Sequence, residues 1–381
     1  MRRYQEHSIE QLPSLRRNSN FNPMTSDKPS KTYDIELIPG DGIGTEVVKA
    51  VMPLVRTVAD QHGFEFETTR RDWGTEYYLN HGEMMPGDGL DRLTDADSIF
   101  LGAVGHPDVP DHVTLHGLLL PIRKGFDQYV CKRPNVLFEG IESPLRGYES
   151  GDIDFVVYRE NTEGEYADLG GREHRGLAHE TAIQSALFTR RGTERIIRAA
   201  FEAAAERERH LTSITKSNAQ AYSMVFWDDI VAEVSEEYPG VTVERLLVDA
   251  ASMDLIRRPH EFDVLVASNL FGDILTDIGA QITGSMGLAP SGNIHPGDEY
   301  PSMFEPVHGS APDIVGKGVA NPLATVLSWS MLFEDLGETD AADALWDVVT
   351  DQLADDAAPR TPDLGGDANT QTVVGDLSSR L

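Results

Sequence analysis

The stretch Phe262-Asp263-Val264-Leu265-Val266-Ala267-Ser268-Asn269-Leu270-Phe271-Gly272-Asp273-Ile274-Leu275-Thr276-Asp277 decides how this chain is read. The run Phe262 to Ala267 is apolar enough for a buried strand, and it feeds at once into a helix. Asp273 and Asp277 stand at i and i+4, so they share one helix face with Cβ atoms on the order of 6 Å apart, and both reach one ion. A third acid, Asp249, ends another strand-like run, Val241 to Val248. Three carboxylates within about 4 Å of one another would repel by several kcal/mol per pair at an effective dielectric near 20, so such a cluster needs a cation. Ligation by carboxylate and water suits a hard ion, Mg2+ or Mn2+. The competing reading is that Asp273 favours a helix N-terminus through the dipole and that Asp277 is solvated.

Outward from this unit, short apolar runs alternate with amphipathic stretches. Ile35 to Ile38, the turn Gly40-Asp41-Gly42-Ile43-Gly44 and the run Val47 to Val58 read as strand, glycine turn and helix, while Ser98 to Val104 and Phe155 to Tyr158 are further buried strands. The class is α/β. The glycines give G-x-G-x-G rather than G-x-G-x-x-G, and no acidic residue closes a second strand about 20 residues on. A tight turn explains them as well as a dinucleotide site does, so a classical Rossmann fold is not expected. Glu194 to Glu208, Leu323 to Leu336 and Ala341 to Leu353 are structural helices, and the polar tail from Pro359 reads as weakly ordered.

The chain has 381 residues, and 63 acidic against 32 basic residues give a net charge of -31. That balance opposes nucleic acid and anionic lipid as partners, and no apolar run approaches the length of a membrane span. The single cysteine, Cys131, excludes an intrachain disulfide framework; a buried thiol and a cytoplasmic location are expected. Residues 1–31 lack the apolar core of a secretory signal and read as a disordered extension, with Met24 an alternative start.

Arg123, Arg133 and Arg159 lie beside apolar segments rather than in charge runs. Guanidinium forks suit carboxylates, although each could equally be a surface ion pair. Lys216 follows a β-type run and Tyr166 closes Arg159-Glu160-Asn161-Thr162-Glu163-Gly164-Glu165-Tyr166; near a divalent ion both types of side chain can exchange protons with a substrate.

Ile38-Pro39-Gly40-Asp41-Gly42-Ile43-Gly44, Arg159-Glu160-Asn161-Thr162-Glu163-Gly164, Asn269-Leu270-Phe271-Gly272-Asp273-Ile274-Leu275 and Glu305-Pro306-Val307-His308-Gly309-Ser310-Ala311-Pro312-Asp313 resemble the isocitrate and isopropylmalate dehydrogenase family. The resemblance runs from about Tyr33 to the last helices. Met84-Met85-Pro86, Phe126-Asp127-Gln128-Tyr129-Val130 and Gly164-Glu165-Tyr166 resemble its tartrate and D-malate dehydrogenase (decarboxylating) branch. The resemblance implies an open, two-domain α/β fold of the isopropylmalate dehydrogenase type with a central cleft. A discontinuous large domain of residues 32–128 plus 284–381 would carry the NAD loop, and residues 129–283 would dimerise.

It also implies roles. Arg123, Arg133 and Arg159 would clamp substrate carboxylates; Asp273 and Asp277, with Asp249 from the partner in a homodimer, would hold Mg2+ or Mn2+. Lys216, also from the partner, would help remove the hydroxyl proton, and Tyr166 would protonate the enolate after loss of CO2. Glu305, His308, Gly309, Ser310, Ala311, Pro312, Asp313, Ile314 and Asn321 would bind the cofactor. A carboxylate at Asp313 accepts from both ribose hydroxyls and repels a 2′-phosphate, which favours NAD over NADP, unless Asp313 merely caps a helix. K+ is a further candidate ion.

The expected reaction is oxidation of D-malate or tartrate-like 2-hydroxy dicarboxylates, with decarboxylation where a β-carboxylate permits. The alternatives are 3-isopropylmalate dehydrogenase and a non-catalytic regulatory subunit. In the segment read for substrate choice, Leu119 and Leu120 resemble isopropylmalate users and the tartrate and malate branch alike, Gly117 the tartrate and malate branch, and His116 neither. His106, His112 and His116 make only a weak transition-metal cluster.

Only 7 of the 32 basic residues are Lys, and the acid excess reads as adaptation to high salt, where a Debye length of about 3 Å at 1 M screens like-charge repulsion; the alternative is a merely acidic mesophile protein. Circular dichroism during dialysis from molar KCl to low salt is expected to show unfolding. A fully folded chain at low ionic strength would contradict the adaptation.

Overall fold

Apolar strands too short for helices lie at the centre of the protein: Ser98–Ala103 is buried at every position, as is Val264–Ala267. Such continuous runs belong to parallel sheets covered on both faces. The computed structural model describes residues 31–381, so the readings placed on residues 1–30, the extension and the Met24 start, lie outside the described residues. Lys31, read as the end of that extension, is the first residue of a strand.

Twelve strands are present in the described residues. They are β1 (Lys31–Gly40), β2 (Phe64–Arg70), β3 (Ser98–Ala103), β4 (Val130–Val136), β5 (Asp154–Glu160) and β6 (Gly170–Glu173). The rest are β7 (Thr181–Gln184), β8 (His210–Thr215), β9 (Thr242–Leu247), β10 (Val264–Ala267), β11 (Pro290–Ile294) and β12 (Ser302–Pro306). Ten form one sheet in the order β2-β1-β3-β12-β11-β4-β5-β10-β8-β9, and β6 pairs with β7 in a separate hairpin. The strands β2, β1, β3 and β12 run parallel to one another, as do β5, β10, β8 and β9. Antiparallel pairs join the halves through β11 and β4.

Two hydrophobic cores flank this junction. One packs the helices Ile43–His62, Leu323–Asp335 and Thr339–Ala354 on the β1 half; the other packs Arg190–Glu206, Ser223–Ser235 and Asn269–Ile282 on the β10 half. Ile141 and Ile294 touch both. The division into a discontinuous large domain and a dimerising domain remains our proposal; the two cores favour it.

Local chemistry sets the element ends. Ile43–His62 buries Val47, Val51, Leu54, Val55 and Val58 along one face and ends at Gly63, whose φ of 81° closes the helix in the left-handed conformation. The helix expected over Glu194 to Glu208 starts four residues earlier, at Arg190, because the Thr189 hydroxyl accepts from the Gly192 amide and caps it there, and it ends at Glu206. Asp249 sits in the first turn of the helix Val248–Arg257 rather than at the end of a strand.

The glycine turn is structural. Gly42 has a φ of 56°, and a Cβ there would collide with the Ser310 carbonyl, to which Ile43 donates its amide over 2.9 Å. The turn thus braces the loop after β12.

The tail reading needs correction. Residues beyond Pro359 form a short turn of helix, Pro362–Leu364, and the helix Thr370–Arg380, whose Val373, Val374 and Leu377 are buried in the first core. Leu377→Ala is expected to lower the unfolding free energy by about 3 kcal/mol, the usual cost of emptying a buried leucine site. Urea unfolding checks it, and a change under about 0.5 kcal/mol, the size of an ordinary surface effect, would contradict a docked tail.

Candidate active site

The register of β4 and β5 builds the site. Cys131 lies opposite Arg159 in this antiparallel pair, so Arg133, two residues on, projects from the same sheet face as Arg159. Both guanidiniums are buried, with Arg133 7% and Arg159 1% exposed, which is tolerable only because each has partners. The helix Asn269–Ile282 lies over them and supplies those partners. Asn269 Oδ1 accepts from Arg159 Nη2 at 2.7 Å, Thr276 Oγ1 accepts from Arg133 Nη1 at 2.7 Å, and Asp273 Oδ1 accepts from Arg159 Nη1 at 2.5 Å. The close approach requires a glycine, since a Cβ on Gly272 would come within 2.7 Å of Arg159 Cβ and Cγ.

Arg123 reaches the same region from the helix Leu120–Gly125, and its Nη2 donates to Glu305 Oε1 on β12 at 2.6 Å. Ser291 on β11 accepts from Arg133 Nε at 3.2 Å. Tyr166 is half-buried with its ring under the Arg159 guanidinium, and its hydroxyl donates to Asp273 Oδ2 at 2.9 Å. Burial first and the Asp273 charge second push the Tyr166 hydroxyl up to about 12, so it carries a proton to deliver. Burial also acts to raise Asp273, but Arg159 and then Arg133 outweigh it and hold the carboxyl below its ordinary range. Asp277, one turn on, is pushed up by desolvation and by the Asp273 charge.

The structure therefore brings together Arg123, Arg133, Arg159, Tyr166, Asp273, Asp277 and Glu305. It does not bring Asp249 to the other aspartates of the same chain. Among the described residues no three His, Cys, Asp or Glu side chains converge to hold a metal, His106, His112 and His116 included. Asp249 is exposed and instead accepts from Lys216 Nζ at 2.5 Å, so those two form a separate pair. The donor chemistry fits a hard cation: Asp273 and Asp277 are oxygen donors one turn apart whose mutual repulsion a cation would relieve, and one chain leaves the set short of a third carboxylate.

The loop after β12 carries the residues assigned to the cofactor. Ser310 is buried against the glycine turn, Ala311 takes a φ of 42°, and Ile314 packs on Ile43 and Val47. Asp313 is exposed in the turn 312–316 and caps no helix. His308 is held below the ordinary histidine range by burial, and its Nε2 is buried without a hydrogen-bond partner. A cavity of about 530 Å3, bordered by Gly42, Gly105, Ser310, Pro312 and Val315, opens beside this loop. Asn321 donates to Asp363 Oδ2 at 2.9 Å, and Ser285 donates to the same oxygen at 2.7 Å. A different cavity, about 580 Å3, lies on the opposite sheet face against Lys132, Pro134, Val156 and Tyr158, away from the arginines.

Sequence reasoning missed Asn269, Gly272, Thr276 and Ser291, the residues that seat the arginines, and Asp363, which ties down the cofactor loop. The spacing of Asn269, Gly272, Thr276 and Gly279 was the available signal: small or amide side chains at i, i+3, i+7 and i+10 mark a helix face laid closely on a sheet.

Residues 34–377 match the isocitrate/isopropylmalate dehydrogenase family. A probable tartrate dehydrogenase/decarboxylase of Agrobacterium vitis is 50% identical over 346 residues, covering 90% of this chain and 94% of that protein. The D-malate dehydrogenase (decarboxylating) of Escherichia coli strain K12 is 48% identical over 352 residues, covering 90% and 97%. The crystal structure of isocitrate dehydrogenase from Methylococcus capsulatus has a TM-score of 0.81 at 33% identity, covering 91% of this chain and 99% of that one. With this fold, this cluster of arginines and aspartates and these relatives, the chain belongs to the isocitrate/isopropylmalate dehydrogenase family.

Proposed function

We propose that this decarboxylating hydroxy-acid dehydrogenase uses NAD and Mg2+ or Mn2+ to oxidise D-malate or tartrate-like 2-hydroxy dicarboxylates, as a homodimer with shared active sites. The observation that carries the reading is the charge set of the site. Three guanidiniums, Arg123, Arg133 and Arg159, face three carboxylates, Asp273, Asp277 and Glu305. A dicarboxylate and a divalent cation bring charges that cancel, so the pair enters without upsetting that balance, whereas either alone would leave charge poorly matched in a region of low dielectric.

In this reading the arginines bind and orient the two substrate carboxylates through their free N–H groups. Asp273 and Asp277 would hold the cation together with Asp249 from a second copy, and the single-chain separation of Asp249 from Asp273 favours that sharing. When bound, the cation supplies Lewis acidity at the substrate oxygens, and NAD supplies the hydride acceptor. Lys216, beside Asp249 and so also from the second copy, helps remove the proton of the C2 hydroxyl, acting in its uncharged amine form. Tyr166, kept protonated, delivers its proton to the carbon that has lost CO2.

Substrate choice rests partly on Leu119 and Leu120, which are both buried and offer little free apolar surface to an isopropyl group. The exposed carboxylate of Asp313 favours NAD over NADP. A purely regulatory subunit would have no need of the complete proton-transfer set.

Steady-state rates with NAD and Mn2+ in molar KCl should rank D-malate or tartrate above 3-isopropylmalate in kcat/KM. Lys216→Ala should lower kcat by about 100-fold or more, the usual range for a lost general base. A strong preference for the isopropyl compound would overturn the substrate assignment, and unchanged NAD reduction by Lys216→Ala would remove the mechanism.

A further inference from the structure

Asn293 belongs to none of the roles above, yet it is fully buried in β11 beside two of the arginine anchors. Its Nδ2 donates to Glu305 Oε1 at 2.9 Å and to the Met303 carbonyl at 3.2 Å, and its Oδ1 accepts from Asn161 Nδ2 at 3.0 Å. Glu305 Oε1 is the same oxygen that receives Arg123 Nη2 at 2.6 Å.

That sharing has a geometric effect. An arginine and a carboxylate left to themselves favour a bidentate pair with two parallel N–H to O contacts. Here Asn293 keeps one Glu305 oxygen between two donors, so Arg123 is bound through a single nitrogen. Arg123 Nε is buried and has no partner at all, which is costly unless something arrives to satisfy it. An incoming carboxylate would satisfy it.

The other end of Asn293 reaches the turn that leads to Tyr166. Asn161 also donates to the Gln128 carbonyl at 3.0 Å, and the next residues fold over Glu160, whose carboxylate accepts from the Thr162 and Glu163 amides at 2.9 Å each. Lys124, beside Arg123, donates to the Tyr166 carbonyl at 3.0 Å and closes the circuit.

We propose that Asn293 is a positioning residue for substrate binding: by holding Glu305 in a one-point contact it keeps the Arg123 fork open for a substrate carboxylate. The inference rests on the reading of Arg123 as a carboxylate ligand. Without the Asn293 donor, Glu305 turns onto Arg123 as a bidentate partner and competes with the substrate.

Asn293→Asp tests this with little change of shape, since it retains the oxygen that accepts from Asn161 and replaces the donor with a carboxylate facing Glu305. The groups around the new pair include Arg123, Cys131, which lies opposite position 293 on β4, and, across Ser291, Arg133. With NAD and Mn2+ saturating at pH 8, the D-malate KM should rise at least tenfold in Asn293→Asp and Asn293→Ala, while kcat changes less than threefold. A D-malate KM for Asn293→Asp within twofold of the parent at pH 8 overturns the proposal, as does a parallel loss of kcat and thermal stability. Arg123→Ala, assayed alongside, separates the two levels: a raised D-malate KM there with an unchanged one in Asn293→Asp defeats the Asn293 role alone, and an unchanged KM in Arg123→Ala overturns both.

Discussion

A buried guanidinium must be matched, and Arg159 is the one on which this site turns. It is 1% exposed, with Asn269 on one side of its fork and Asp273 on the other. A charge at that depth is tolerated only where its neighbours are fixed. Its neighbours therefore dictate much of the local structure: the glycine at position 272, the seat of the helix Asn269–Ile282 on the sheet, and the place of Tyr166 beside Asp273. Arg133 and Arg123 repeat the arrangement with Thr276, Ser291 and Glu305. The resulting equality of positive and negative groups favours ligands that come as a neutral combination, which a divalent cation and a dicarboxylate provide.

The continuous sheet explains how distant segments meet. The strands β11 and β4 are antiparallel inserts between two parallel halves, and they carry Ser291, Asn293, Cys131 and Arg133. One face of this junction holds the arginines, and the alternate residues of β4 and β5, such as Lys132 and Tyr158, line the cavity on the other face. The loop assigned to the cofactor follows directly from β12, whose Glu305 already touches Arg123, so the residues assigned to nucleotide and to substrate meet at that strand.

The parts legible in the sequence were the local ones. A four-residue apolar strand followed by carboxylates at i and i+4 needs no distant information, and it appears as β10 and the helix after it. The glycine turn was likewise readable as a tight turn, and the positive φ of Gly40 and Gly42 with their close backbone approaches shows that it is one. The convergence of the arginines was not readable from spacing, because they come from a helix and two strands and meet only through the register that sets Cys131 against Arg159; the family resemblance supplied it. The tail was misread for the same reason. Its Asp363 lies in a Pro- and Gly-containing stretch with no local signal of a partner, and its partners Asn321 and Ser285 lie 42 and 78 residues away. Burial of Val373, Val374 and Leu377 likewise depends on a surface that only the folded chain presents.

The central claim is that Asp273 and Asp277 of one copy and Asp249 of another grip one hard cation. Anomalous diffraction from crystals grown with MnCl2 tests it without reference to activity. The account predicts a manganese peak within coordination distance of all three carboxylates, about 2.0 to 2.4 Å from their oxygens as for hard divalent ions. A manganese-soaked crystal with no peak between these groups, or with Asp249 remote from the ion, would contradict it.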